Sequence, residues 1–125
     1  MKINWGRAVN AGLVAEILLL LVYQFVVRAY GRGTASTVVV IGGCFLFMLV
    51  GALWVGRGIE SRFILHGFLV GVVAIVYYVI RILPDALGGE YPMNYWLAVL
   101  IGHPPKLLGG IVGGYIAGRR KTKTV

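Results

Sequence analysis

Glu16, in "GLVAEILLLL", and His103 and Lys106, in "GHPPKLL", are ionisable side chains set within otherwise apolar sequence. A carboxylate, an imidazole and an ammonium can form a buried ion pair or pass protons along a route. In hydrocarbon each costs about 3 kcal/mol or more unless it is paired, hydrated or neutralised, which makes all three candidates for function. At 1.5 Å per helical residue, Glu16 lies roughly 13 Å beyond Arg7, and Lys106 and His103 about 18 and 22 Å from Gly118. Lysine can extend its ammonium several ångströms along a helix. Glu16 and Lys106 are therefore within reach of one another if the first and last helices are neighbours.

Pro104 and Pro105 follow Gly102 in the same cluster. Proline lacks an N–H, so a helix passing through them releases the carbonyls of Leu100 and Ile101. Broken helices of this kind are tolerated inside a membrane where protein or a wet cavity satisfies the backbone. The alternative is that the prolines occupy the first turn of a new helix, but that helix would have 15 residues and a length of about 22 Å, short of a full crossing. The sequence favours a fourth helix that continues with a kink or break at Gly102–Pro105.

These residues are carried by elements that composition describes well. The chain has 125 residues, 59% of them hydrophobic and 13% charged, a balance that excludes an ordinary soluble domain. Four apolar runs, about 8–28, 36–55, 63–83 and 93–118, are each long enough to cross about 30 Å of hydrocarbon. They lack the alternation of barrel strands. The predicted fold is an all-α integral membrane four-helix bundle in one domain, joined by short turns near 29–35, 56–62 and 84–92 and ending in a basic tail, 119–125. Lys2 and Arg7 precede a run too long for a signal peptide, so the first run is read as a retained helix.

Lys2, Arg7, Arg57, Arg62, Arg119, Arg120, Lys121 and Lys123 gather at one end of these helices, against Arg28, Arg32 and Arg81 at the other. The positive-inside rule then places both termini in the cytoplasm, in the inner (plasma) membrane of a prokaryote. Trp5 and Trp54 belong to the cytoplasmic interface and Tyr30, Tyr91, Tyr95 and Trp96 to the outer one. The net charge of +8 thus reflects topology, and nucleic acid is not an expected partner. The lipid bilayer is, and anionic headgroups can meet the basic tail.

Small residues four apart allow close helix approach. Gly12 with Ala8, Gly56 with Ala52, Gly67 with Gly71, and Gly110 with Gly114 and Gly118 all lie in the cytoplasmic half, whereas bulky side chains fill the outer half. The bundle is expected to close tightly at one end and to splay at the other. A second row, Gly109 and Gly113, suggests a face for another copy or a larger membrane complex. The hairpins also echo one another: Arg7, Gly12 and Tyr23 match the spacing of Arg62, Gly67 and Tyr78, and "VGALWVGR" resembles "VGGYIAGR". A parallel internal repeat would produce both matches.

The segment "GLVAEILLLL" is similar to the first span of the small multidrug resistance transporters, in which the resemblance implies proton exchange at the glutamate. It covers that span alone, and the family's later motifs are not found. There is no zinc motif, nucleophile elbow or phosphate loop, and the lone Cys44 has no partner for a disulfide. No catalytic residue, metal or cofactor is expected. His66, near the start of the third helix, reads as a hydrated end residue, and Gln24 as a bond to a neighbouring helix. Arg81, Asp85 and Glu90 read as interface or loop charges. Two functions remain: a structural or accessory protein in which Glu16 is an ion-pairing residue, and a small oligomeric channel or proton-coupled transporter in which Glu16 titrates beside Lys106, His103 and the freed carbonyls.

Overall fold

The computed structural model describes residues 2–89 and 93–124, apart from the side chains of 93–95 and 98. Glu90 and Tyr91 lie outside the described residues, as does the side chain of Tyr95. Four helices and no strand occur among the described residues: α1 (Trp5–Tyr30), α2 (Thr34–Gly56), α3 (Phe63–Leu87) and α4 (Met93–Lys123). The first three are long and apolar enough to cross a membrane, with mean hydropathies of 1.9, 2.6 and 2.4. α4 is diluted by glycine and by the Gly-His-Pro-Pro-Lys cluster, and it lies against both α2 and α3.

Local chemistry sets the ends. Asn4 caps α1 by accepting the Arg7 N–H through its side chain at 3.1 Å, which satisfies an otherwise free first-turn donor. Gly31 ends the helix with φ 73° and ψ −174°, a conformation accessible essentially to glycine alone. The next turn is fastened by hydroxyls: Ser36 Oγ donates to the Gly31 carbonyl at 2.6 Å and Thr37 Oγ1 to that of Gly33 at 3.0 Å.

Two expected boundaries move, the ends of α3 and α4. α3 continues through Pro84 to Leu87, because a proline in the last turn deletes a single backbone hydrogen bond and its neighbours can remain helical. α4 is helical without a break across Gly102, Pro104 and Pro105, so of the two forms weighed there the continuous span is the one adopted and no new helix starts at the prolines. Two missing N–H groups leave most of the ladder of a 31-residue helix intact. The basic stretch 119–123 is the end of α4 rather than a loose tail; cations are welcome at the negative end of the helix dipole.

The helices form a four-sided bundle in which α1 borders α2 and α3, and α4 borders the same two from the opposite side. α2 and α3 also touch, whereas α1 and α4 make no close backbone approach among the described residues. The two hairpins therefore have different surroundings: Gly12 packs on Val70 and Val73 of α3, but its counterpart Gly67 packs on α4. The buried apolar core runs from Val55 and Ile59 at the basic end through Ala11 and Val70 to Ala15, Met48 and Ala74. Leu21, Phe25, Leu46, Ile80 and Leu100 are among many large apolar side chains left on the outside.

Glycine creates the two tightest seams. Gly67 and Gly110 approach so closely that a Cβ on either would strike the other's carbonyl oxygen, and Gly71 and Gly114 lie against the backbone of Lys106 and of Phe63. Gly109 and Gly113 meet the backbone of Phe45 and Leu49 on α2. Both rows on α4 are thus used within the bundle, and the second is not a free face for another copy. Gly56 meets Ala117, and Gly118 meets the ring of Phe63.

Candidate functional site

The bundle brings Glu16 and Lys106 together at its centre. Lys106 Nζ donates to both carboxylate oxygens, at 2.9 Å to Oε1 and 2.8 Å to Oε2. Glu16 is 0% and Lys106 3% exposed. They meet even though α1 and α4 are not neighbours, because each side chain crosses the interior between α2 and α3. The small residues below this level, Ala11, Ala15 and Ala74, keep the backbones near enough for the pair to close.

Buried charges need such closure. The attraction of two ions must offset a desolvation penalty of several kcal/mol per ion, and it does so when both are well hydrogen-bonded. The bidentate contact uses both oxygens of Glu16. Lys106 Nζ also lies 4.9 Å from the centre of the Tyr78 ring, where the π face adds a favourable interaction. Glu16 and Lys106 are the only buried carboxylate and ammonium among the described residues.

His103 lies one turn from Lys106 on α4, packed edge-on against Tyr78 with ring centres 5.0 Å apart. Both of its ring nitrogens are buried and without a hydrogen-bond partner among the described residues, which is costly for a group able to donate and accept. Tyr78 therefore contacts both the imidazole and the ammonium. Cys44 is buried on α2.

The second polar centre was not legible in the sequence. His66 is 2% exposed, not a hydrated end residue. Its Nε2 accepts the Asn4 backbone N–H at 2.9 Å, and its Nδ1 lies 2.9 Å from the Arg62 carbonyl. These partners assign a neutral ring with the proton on Nδ1, donated to that carbonyl. His66 consequently ties the chain preceding α1 to the start of α3. Arg7 closes the same end, with its guanidinium 4.6 Å from the Trp54 ring centre, and Lys121 Nζ donates to the Ile59 carbonyl at 2.5 Å.

The remaining polar candidates stay outside the core. Gln24, Arg81 and Asp85 are exposed, and Gln24 does not serve as an interior link between helices. No group of three or more potential metal ligands occurs among the described residues. Comparison with protein-family models, with curated proteins and with solved structures finds no match to the chain.

Proposed function

We propose that the protein is a small multi-pass membrane protein of structural or accessory type, with α4 completing a four-span bundle whose outer apolar surface faces lipid and the helices of a larger membrane complex. The basic ends lie in the cytoplasm, and Glu16 and Lys106 act as an internal fastener rather than as catalytic groups. The observation carrying this reading is the complete burial of the two-oxygen Glu16–Lys106 pair. A titrating transport site must meet water on at least one side, whereas a fastener is strongest when sealed.

Proton and cation flux into liposomes tests the reading, with wild type compared against Glu16→Gln at matched insertion. Neither should conduct above protein-free vesicles, and the variant should lose thermal stability. A wild-type flux that disappears in a properly inserted Glu16→Gln variant would replace this function with transport.

A proton-coupled channel or transporter is the second reading. It is favoured by His103, whose two unpartnered nitrogens lie beside Tyr78 and one turn from Lys106. In that mechanism Glu16 would exchange its ammonium partner for a proton, and His103 would receive protons on the side away from the basic end.

A further inference from the structure

At the basic end, the first turn of α3 and the last turns of α4 border a groove of roughly 570 Å³. Phe63, Ile64, Leu65 and Tyr115 give it an apolar lining, joined by Gly114 and Gly118, which pack against Phe63. Arg62 and Arg119 stand at its mouth. This arrangement joins a slot for hydrocarbon to a pair of cations, and does so at the level where a membrane's headgroups would lie.

The cations are available. Both arginines are exposed, and no carboxylate among the described residues pairs with either. Glu60 is the sole acidic residue in the α2–α3 turn. Arg119 is held over the groove by Tyr115, whose hydroxyl accepts from Nη1 at 3.0 Å and whose ring centre lies 5.8 Å from the guanidinium carbon. Thr122, also at the mouth, already donates its hydroxyl to the Gly118 carbonyl at 2.7 Å. The guanidinium groups, with the O–H of Tyr115, are therefore the donors left for a ligand. No side chain caps α3, so the positive end of its dipole adds to the same field.

We propose that this groove binds one anionic phospholipid, with an acyl chain along Phe63, Ile64 and Gly118 and the phosphodiester between Arg62 and Arg119. The proposal rests on the membrane-spanning reading. Guanidinium pairs suit phosphate because their fixed N–H forks match its oxygens. The net negative charge of the lipid complements a mouth that has two cations and no acid. A zwitterionic lipid would bring its own cation into that mouth and lose much of the gain. The recess on the α2 side of α4 also carries two exposed arginines, Arg57 and Arg120, but it is half the volume, about 280 Å³, and its Lys121 is committed to Ile59.

The full chain in a neutral detergent can be titrated with dioleoylphosphatidylglycerol or dioleoylphosphatidylcholine, with retained lipid counted by native mass spectrometry. Phosphatidylglycerol should bind about tenfold more tightly, and inorganic phosphate at equal concentration should not displace it. R62Q/R119Q should reduce the preference to about twofold or less, while K2Q/K123Q, which removes equal charge elsewhere, should retain it. An unchanged preference in R62Q/R119Q, an equal loss in K2Q/K123Q, equal binding of both lipids, or displacement by phosphate alone would overturn the site. Should R62Q/R119Q lose its helical signal, R119Q alone provides the same comparison. Failure of the wild-type chain to float with liposomes would overturn the membrane reading itself; insertion with no lipid preference would overturn only the groove.

Discussion

Gly67 of α3 and Gly110 of α4 form a reciprocal contact in which a methyl group on either would collide with the other's carbonyl oxygen. Neither backbone can yield alone, since Gly71 and Gly114 hold the same seam one turn away. Gly67→Ala and Gly110→Ala should each lower stability by about 2 kcal/mol or more, in the range of overpacking. Gly42→Ala, at a helical site with open space, should instead be stabilising by about 0.5–1 kcal/mol. Reversible unfolding in mixed micelles measures both, and equal effects at Gly67 and Gly42 would remove the seam as a determinant of the fold.

The central ion pair predicts a non-additive cycle. Glu16→Leu or Lys106→Met alone should cost roughly 3–5 kcal/mol by leaving a buried charge unmatched, while the double replacement should return close to wild type or exceed it by about 1–4 kcal/mol. Additive losses in a double-mutant cycle would contradict the pairing.

His66→Phe keeps a ring in the same volume but removes the acceptor for the Asn4 N–H and the donor to Arg62. A loss of about 1–3 kcal/mol is expected from the unsatisfied groups. Hydrogen exchange should accelerate at Asn4 and in the first turn of α1 before it changes near Ala15. Uniform acceleration through the bundle would show that His66 supports the core rather than the N-terminal attachment.

The α1–α2 turn separates two glycines that look equivalent in sequence. Gly31→Ala should be destabilising by about 1–3 kcal/mol because its φ of 73° and ψ of −174° disfavour a side chain. Gly33, with φ −179°, is extended and should accept alanine with little loss. The order of the two melting temperatures tests this geometry.

Much of the helical framework was legible in the sequence because uninterrupted apolar length is a strong signal, and residue rise put Glu16 and Lys106 within reach of one another along the bundle. Their meeting required the helix arrangement, which hydropathy does not encode: α1 and α4 are opposite one another, and the charges cross the interior. Pro104 and Pro105 left a restart of α4 open because local rules weigh lost hydrogen bonds; the continuous helix is also held through its glycines by α2 and α3. The role of Gly109 and Gly113 was misread for the same reason, since two glycine rows on one helix can serve two neighbours in one chain. His66 gave little local signal; its partner Asn4 is 62 positions away, and a backbone N–H leaves no trace in residue type.

The Glu16–Lys106 pair also joins α1 to α4, the two helices furthest apart in the order in which the ribosome makes the four. Until residue 106 has been synthesised, Glu16 must reside in the nascent three-helix assembly without its counter-ion, while α2 and α3 expose the seams that α4 will occupy. Arrival of α4 supplies the missing ammonium and fills both seams together. Synthesis of α4 is thereby coupled to the pairing of Glu16, and a product truncated after α3 retains that carboxylate without its ammonium partner.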